Sequence, residues 1–251
     1  ASPMAIDRAQ RRQILDSVDR LIRDRVAPRA AEIDAKDEFP RDLYRAAAEL
    51  GVFGLWIPEE YGGIGPDMVT PLLISERIAR VSASFSLSFS NCGDAATPIV
   101  VGGSEAIKRR FLPPIARGEM IPCFCLSEPK GGSDAAAIVT RAVRDGDHYV
   151  INGHKMWCTN GSIGDVYTVF AKTDPDAGHR GVSAFVVPRD TPGLRIGRDE
   201  KLLGLHGSPT TELFFQNVRI PLENRLGEEG EGFKIAMATL DEARLNCSAM
   251  A

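Results

Sequence analysis

The spacing of hydrophobic residues changes near the middle of the chain. In the first half, apolar side chains recur at the three- and four-residue spacing that places them on one face of a helix. Pro40 and Ser104 are typical of helix starts, whereas Gly51 and the Pro113-Pro114 pair are typical of helix ends. The pattern predicts helices over residues 6–35, 40–50, 67–80, 84–101 and 105–112.

Past Gly118 the apolar residues alternate with a period of two, which is typical of half-buried strands. Turn-forming residues at 144–147 and at Asn152-Gly153 indicate hairpins and therefore an antiparallel arrangement. The predicted strands cover residues 121–126, 138–143, 148–151, 166–171, 182–187 and 211–215.

A helical pattern returns at Gly230 or Glu231 and runs to the last residue without a stop signal. Its apolar face needs a packing partner, so we expect truncation, proteolysis or a second subunit that supplies the rest. The predicted fold class is α+β multidomain: an all-α N-terminal domain, an antiparallel β-barrel or sandwich, and the start of a C-terminal helix. The predicted boundaries are 1–120 for the helical domain, 121–228 for the β domain and 229–251 for the first helix of a truncated domain.

Composition excludes several classes of function. The net charge of -4 gives no basic surface for nucleic acid, and no apolar run approaches the ~20 residues that span a membrane. The odd number of cysteines and the absence of a signal pattern at the start indicate a reducing compartment, either bacterial cytoplasm or mitochondrial matrix. Cys123 and Cys125 lack a second ligand pair, so we interpret them as buried hydrophobic residues and expect no metal.

Two segments carry candidate chemistry, whereas the common nucleotide-binding and nucleophile motifs are absent. Residues 124–134 end a strand in a loop with paired glycines, whose N–H groups can approach an anionic or carbonyl-rich ligand. The alternative is an ordinary β-turn. In residues 155–161 the face of Trp157 lies beside Thr159, which suits a planar heterocycle with hydrogen-bonding edges. The alternative here is a core tryptophan at a barrel rim.

Together, in this order, the two segments resemble the flavin-binding signatures of the acyl-CoA dehydrogenase family. The resemblance extends over essentially the whole chain, from the helical first half to the closing stretch Gly-Glu-Gly-Phe-Lys-Ile-Ala-Met. It implies FAD as the cofactor and an acyl-CoA as the substrate. The implied cofactor-binding residues are Phe124, Cys125, Leu126, Ser127, Gly132, Ser133, Trp157, Cys158 and Thr159, and the implied substrate-binding residues are Ser133, Phe233, Asp241, Glu242, Ala243 and Arg244.

The implied reaction removes the α-proton with a carboxylate and transfers the β-hydrogen as hydride to the flavin, which gives a 2,3-enoyl-CoA. The resemblance also implies an electron-transfer flavoprotein as electron acceptor and a homotetramer or homodimer. The family's base is usually a glutamate of the C-terminal domain, which lies outside this sequence. One branch places it where Ala243 stands, and Glu242 is rotated ~100° from that position on a helix. The catalytic base therefore stays unassigned.

Other readings remain open. Lys130 and Cys158 depart from the residues common in the family, and both departures are tolerable. An acyl-CoA oxidase or a flavin monooxygenase of the same fold would differ mainly in how its reduced flavin reacts with oxygen. A non-catalytic FAD- or CoA-binding subunit is a different class. Acyl chain length and branching do not follow from the residues present, and without the C-terminal domain we expect weak flavin binding.

Overall fold

The computed structural model describes residues 6–251, so the first five residues of the predicted helical domain lie outside it. Helix α1 (Arg8–Leu21) begins at a capping box, in which Asp7 accepts from the backbone of Gln10 and the Gln10 side chain accepts in return. The helical path continues through a π-helical turn and a 3₁₀ turn into α2 (Ala30–Lys36). The predicted helix is confirmed, with a local change of winding just before Pro28, which has no N–H to donate.

The other N-terminal helices agree with the predicted pattern. Ser82 caps the N-terminus of α5 and Ser104 caps that of α6, each by accepting a hydrogen bond from a backbone N–H three residues on. Helix α5 is buried on nearly every side, as its small and apolar residues predict. The bounds are α3 (Arg41–Glu49), α4 (Val69–Ala79), α5 (Ala83–Gly102) and α6 (Glu105–Ala116), with short 3₁₀ segments at Val52–Trp56, Glu59–Tyr61, Ala135–Ala137, Pro175–Gly181 and Leu222–Asn224.

The Pro113-Pro114 pair does not end α6, which was the wrong part of the prediction for this helix. The helix continues to Ala116. The two prolines leave the carbonyls of Arg109 and Arg110 without helical donors, but both residues are exposed, so water can satisfy those groups. Burial of Ile115 then holds the last turn in place.

The second half of the chain forms eight strands, and the six predicted strands are among them. Two were not predicted: β6 is largely exposed and carries charged residues, and β8 has only two residues. The bounds are β1 (Pro122–Cys125), β2 (Arg141–Asp145), β3 (His148–Thr159), β4 (Val166–Lys172), β5 (Val182–Pro188), β6 (Leu194–Asp199), β7 (Thr210–Pro221) and β8 (Arg225–Leu226).

The strands form one mostly antiparallel sheet in the order β6-β7-β3-β2-β4-β5-β8, with β1 beside β4. The pairs β1–β4 and β2–β4 are parallel, and the second consists of a single residue pair, Arg141 with Lys172. Among residues 6–251, β6 and β8 do not pair, so the sheet is not a closed barrel. The spacing of the strands predicted a barrel or a sandwich, and a barrel requires a closed hydrogen-bonded ring of strands. The inward side chains of both halves still share one hydrophobic cluster.

Asn152-Gly153 lies inside β3 and not in a hairpin turn, so the predicted turn at this position was wrong. The register between β3 and β7 shifts between Ile151 and Gly153, which is the signature of a bulge. A Cβ on Gly153 would lie 2.2 Å from Thr140 Oγ1, so glycine permits close packing at this point. The hairpin predicted at 144–147 does form, between β2 and β3.

Helix α7 (Gly232–Met250) begins close to its predicted start and packs against α5, α4 and the sheet. Gly232 lies directly on the backbone of Ser183, where a side chain would clash. A second hydrophobic cluster contains residues of α5, α6, β4, β5 and α7, so the helical and sheet portions pack together. Within residues 6–251, no helix is both long and apolar enough to cross a bilayer.

Candidate cofactor-binding site

The two segments with candidate chemistry meet in space. The backbone N–H of Met156 donates to Ser127 O at 2.9 Å, and the Cys123 thiol lies 3.1 Å from Thr159 O. We call residues 126–134 the glycine loop and residues 155–161 the tryptophan segment. These contacts join the loop after β1 to the end of β3, so the two segments form one continuous surface.

A buried ion pair connects the two segments beneath that surface. Lys155 Nζ lies 2.7 Å from Glu128 Oε1 and donates to Leu126 O at 2.9 Å. The Glu128 carboxylate also accepts from the backbone N–H groups of Val139 and Thr140, at 2.6 and 3.1 Å. Both charged side chains are almost completely buried, at 0% and 2% exposure. One carboxylate therefore fixes the glycine loop to the start of β2 and to β3.

The electrostatics favour the charged form of this pair. Burial by itself raises the pKa of Glu128. The charge of Lys155 and its hydrogen bond oppose this rise, as do the two backbone donors, and the net result is a pKa below the usual value. Burial lowers the pKa of Lys155, and the Glu128 charge opposes that shift. Because a buried charge is costly unless it is paired and hydrogen-bonded, the pair holds this geometry.

Trp157 faces outward because of a bulge at the end of β3. The register between β3 and β7 shifts between Lys155 and Cys158, and both of those side chains point inward. Trp157 itself has φ = 60° and is 54% exposed. The bulge thus turns an indole that strand alternation would bury into a surface aromatic face. A left-handed backbone is costly for a residue with a Cβ, and such strain is concentrated at functional positions.

The glycine loop offers an open backbone beside the tryptophan. Glu128 and Gly131 pair by reciprocal backbone hydrogen bonds of 2.9 and 3.1 Å, which makes a tight turn. Gly132 and Ser133 follow on the exposed side of that turn, and no atom lies within 4 Å of the Cβ position of Gly132. A ligand can therefore approach this backbone closely, and the hydroxyl of Ser133 is accessible. These features fit a planar heterocycle that carries phosphates.

The remaining implied cofactor residues divide by burial. Phe124, Ser127 and Thr159 are partly accessible. Cys125 and Cys158 are buried at 0% and 1% exposure, so only their backbone can reach a ligand on the outer surface. The thiols of Cys123, Cys125 and Cys158 all lie in the hydrophobic cluster of the sheet, and burial was the prediction for the first two. Separately, no cluster of metal-binding side chains occurs in the described part of the chain.

Apart from Ser133 of the glycine loop, the implied substrate residues lie along α7. Phe233, at its start, contacts His179 with ring centroids 5.4 Å apart, and the turn that carries His179 packs against residues 135–137 after the glycine loop. Asp241 and Arg244 are exposed, whereas Ala243 is half-buried. Glu242 accepts a hydrogen bond from Thr97 of α5 at 3.2 Å. The structure therefore places Phe233 on the side of the turn that packs near the glycine loop, and residues 241–244 two to three turns further along α7.

Sequence reasoning missed the residues that support this surface. Lys155 occupies an inward position of β3, and a lysine at such a position signals a buried acidic partner, here Glu128. Asn160 was also missed: it is fully buried, has φ = 62°, and donates to Ser88 O of α5 at 3.1 Å. This contact fixes α5 behind the tryptophan segment. No local pattern links residues so far apart in the chain.

The fold and the site together define a two-part protein, with a helical domain and a sheet domain that presents an aromatic and backbone surface for a cofactor. Residues 8–119 match the family model described as the acyl-CoA dehydrogenase N-terminal domain, and residues 123–218 match the middle domain of the same family. The chain therefore belongs to the acyl-CoA dehydrogenase family.

Individual relatives agree with this assignment. A probable acyl-CoA dehydrogenase of Mycobacterium tuberculosis is 46% identical over 90% of the chain and 58% of its own length. Butyryl-CoA dehydrogenase from Megasphaera elsdenii is 38% identical, with a TM-score of 0.92 over 96% of the chain and 64% of its own. An acyl-CoA dehydrogenase from Bacillus anthracis, complexed with FAD, is 35% identical, with a TM-score of 0.89 over 97% of the chain and 42% of its own. The chain thus spans less than two thirds of the length of these relatives.

Proposed function

We propose that this protein binds FAD and catalyses the α,β-dehydrogenation of an acyl-CoA thioester to a 2,3-enoyl-CoA. The observation that carries the proposal is the junction of the open glycine loop with the outward-facing Trp157. The hydrogen bond from Met156 to Ser127 makes that junction, and the Glu128–Lys155 pair supports it from below. A relative with this fold forms a complex with FAD.

In this proposal each segment has a distinct task. Trp157 packs on the flavin ring, and Thr159 donates toward its central nitrogen. Leu126 and Ser127 provide backbone and hydroxyl groups at the pyrimidine edge, while the exposed backbone at Gly132 faces the pyrophosphate. When bound, FAD supplies the hydride acceptor of the reaction. The chain's own residues orient it and exclude water from one face.

The substrate is proposed to run along α7. Ser133 contacts the CoA portion, Arg244 lies near the CoA nucleotide, and the residues before Arg244 lie near the thioester. Exposure of Ser133 and Arg244 on the surface supports these roles. The base expected from the resemblance to the family is a glutamate of a C-terminal helical domain, which lies outside this sequence.

Further parts of the proposal concern the whole protein. We propose an electron-transfer flavoprotein as electron acceptor, a homotetramer or homodimer as the assembly, and a cytoplasmic location. We also retain residues 1–120, 121–228 and 229–251 as the three domain segments, since helices give way to strands between Ala116 and Pro122.

Anaerobic titration tests the proposal. The FAD-loaded protein at its natural length is mixed with acyl-CoAs of different chain length and branching, and the visible flavin band is recorded. Bleaching by at least one acyl-CoA, with recovery on addition of an electron-transfer flavoprotein, is the expected result. Fast recovery in air alone would instead identify an oxidase. A yellow protein that no acyl-CoA bleaches would contradict catalysis and favour a binding subunit.

A further inference from the structure

The interface between α5 and α7 contains a strip of polar side chains, although packed helices usually bury apolar residues against each other. Asn246 Nδ2 donates to Asp94 Oδ1 at 2.9 Å. Next to this pair, Thr97 Oγ1 lies 3.2 Å from Glu242 Oε2. The numbers of the contacting residues rise along α5 as they fall along α7, so the two helices are antiparallel. The polar strip therefore follows α7, the helix along which the substrate is proposed to run.

The strip carries negative charge that no cation within residues 6–251 neutralises. Asp94 and Glu242 are both half-buried, and neither forms an ion pair in that part of the chain. Burial raises the pKa of Asp94 to about 7; the hydrogen bond from Asn246 opposes the rise, and the charge of Glu242 adds to it. Because further hydrogen-bond donors stabilise a carboxylate in such surroundings, the strip can accept additional hydrogen bonds.

A third acceptor lies on the same helix. Asn91 is 9% exposed, and its Oδ1 has no hydrogen-bond partner among the residues that the structure describes. A buried acceptor without a donor costs free energy, and such groups are normally satisfied in native proteins. The partner that Asn91 Oδ1 requires is a donor, as it is for the Asp94 carboxylate.

The position of Asn91 on α5 determines where this donor would lie. Ser88 faces the tryptophan segment, since its carbonyl accepts from Asn160 at 3.1 Å, whereas Asp94 faces α7. At 100° per residue, Asn91 lies about 60° from Ser88 on one side and about 60° from Asp94 on the other. Phe89, about 160° away, packs in the hydrophobic core of the helical domain. Asn91 therefore points into the sector between α7 and the tryptophan segment, and Asp94 borders that sector.

The proposed path of the substrate leads into the same sector. The thioester is proposed to lie beside residues 241–243, and Asn246 follows about 5 Å further along α7. Arg244 is exposed and Asn246 is buried, since their side chains lie about 200° apart around the helix. A CoA nucleotide at Arg244 would occupy the outer side of α7. The acyl chain would then occupy the inner side, beside Asp94 and Asn91.

We propose that Asn91 and Asp94 form a polar subsite for the distal part of the acyl group, and that the preferred acyl-CoAs carry a hydrogen-bond donor there, either a hydroxyl or an ammonium group. The inference rests on the proposed function and names the class of its substrate. A plain alkyl chain would leave both acceptors unsatisfied. A chain that ends in a carboxylate would be repelled by Asp94 and Glu242.

The kinetic test uses the FAD-loaded protein at its natural length and acyl-CoAs matched in chain length that end in a methyl, hydroxyl, ammonium or carboxylate group. Several chain lengths are compared, and kcat/KM is measured from anaerobic flavin bleaching. At the best length, the hydroxyl or the ammonium substrate should exceed the methyl substrate by about tenfold or more, because a site with buried polar groups rejects an analogue that leaves them unpaired. The carboxylate substrate should be the poorest.

The two donor groups can be distinguished by their order. If the ammonium substrate is the better one, the charge of Asp94 contributes to recognition, because hydrogen bonds between charged groups are stronger than neutral ones. If the hydroxyl substrate is the better one, the subsite acts by hydrogen bonding alone. Both results support the subsite.

Two variants assign the preference to these residues. Asn91→Leu replaces a buried amide by an apolar side chain of similar size, so the preference for hydroxyl over methyl should fall by about tenfold. Asp94→Asn removes the charge and keeps the shape, so it should weaken the ammonium substrate more than the hydroxyl substrate. Asp16→Asn, at an exposed carboxylate on α1, is the matched control and should leave both ratios unchanged.

An equilibrium measurement does not depend on activity. CoA thioethers with the same four end groups lack the thioester carbonyl, so they bind without being dehydrogenated. Calorimetry should give the same order of affinity as the kinetic series, with the hydroxyl or ammonium thioether bound about tenfold more tightly than the methyl one. Asn91→Leu should remove that difference.

The outcomes separate the subsite from the proposed function. If acyl-CoAs bleach the flavin but the methyl or the carboxylate substrate is preferred, the subsite is overturned and the proposed function stands. If no acyl-CoA bleaches the flavin, the proposed function fails, and the thioether series still decides whether the subsite exists. If the variants do not fold, the wild-type series decides alone, since equal affinity for methyl and donor end groups would overturn the subsite.

Discussion

Lys155 and Glu128 form a buried ion pair that joins the end of β3 to the glycine loop, with 2.7 Å between Nζ and Oε1. The same lysine donates to the carbonyl of Leu126, so a single side chain contacts two points of the loop. The geometry of the proposed cofactor surface therefore depends on charges that never reach solvent. Removal of either charge should affect both stability and cofactor binding.

Replacement of Lys155 by methionine should lower the unfolding free energy by about 3–5 kcal/mol, because a buried carboxylate is left without its cation. The double variant Lys155→Met with Glu128→Gln should recover part of this loss. Urea denaturation measures both. The control is Lys36→Met, which breaks an exposed pair with Glu32 and should cost less than about 1 kcal/mol. If Lys155→Met lost no more unfolding free energy than Lys36→Met, the buried pair would not have the stabilising role described.

The same pair predicts an acid-dependent loss of stability. The folded pKa of Glu128 lies below its unfolded value of about 4.3, so its contribution is fully present above that value and is lost as pH falls through the folded pKa. The wild type should therefore lose its stability advantage over Glu128→Gln below about pH 4. Parallel pH profiles of the two proteins across this range would show that the carboxylate is not stabilised as described.

Trp157 should contribute to cofactor affinity and little to folding. Glycine at this position accepts the left-handed backbone without strain, so Trp157→Gly should keep or raise the unfolding free energy, by up to about 1–2 kcal/mol. FAD affinity should fall about tenfold, the scale expected for loss of an aromatic contact. Trp157→Phe, which keeps a ring, should bind FAD more tightly than the glycine variant. Calorimetry with FAD and thermal unfolding make the comparison.

Gly153 of β3 and Gly132 of the glycine loop should respond differently to replacement by alanine. Gly153→Ala introduces a Cβ 2.2 Å from Thr140 Oγ1 and should destabilise the fold by about 1–3 kcal/mol. Gly132→Ala meets no atom within 4 Å and should change stability by less than about 0.5 kcal/mol while it weakens FAD binding. Gly204→Ala, in an equally open position, should change neither property. Unaltered FAD binding in Gly132→Ala would remove that residue from the site.

Much of the fold follows from local patterns, because helix caps such as Ser82 and Ser104 and the two-residue strand period are encoded within a few residues. The errors arose where distant contacts override a local rule. Burial of Ile115 carries α6 past two prolines. Gly153, an apparent hairpin glycine, lies inside β3, where its missing Cβ permits close packing on Thr140.

The candidate site also has some features that local sequence predicts and others that depend on distant contacts. The glycines and Trp157 were visible as ligand-binding residue types, but the outward orientation of the indole depends on a register shift between β3 and β7. The hydrogen bond from Asn160 to Ser88 O links positions 72 residues apart and has no local signature. Such contacts follow only from the packed structure.

The central claim is that the glycine loop and the tryptophan segment form one wall of an FAD site. Amide hydrogen exchange of the protein at its natural length, with and without FAD, tests it most directly. We expect FAD to slow exchange in residues 126–134 and 155–161 together and to leave exposed strand β6 unchanged. Protection of only one segment, or protection confined to another part of the chain, would contradict it.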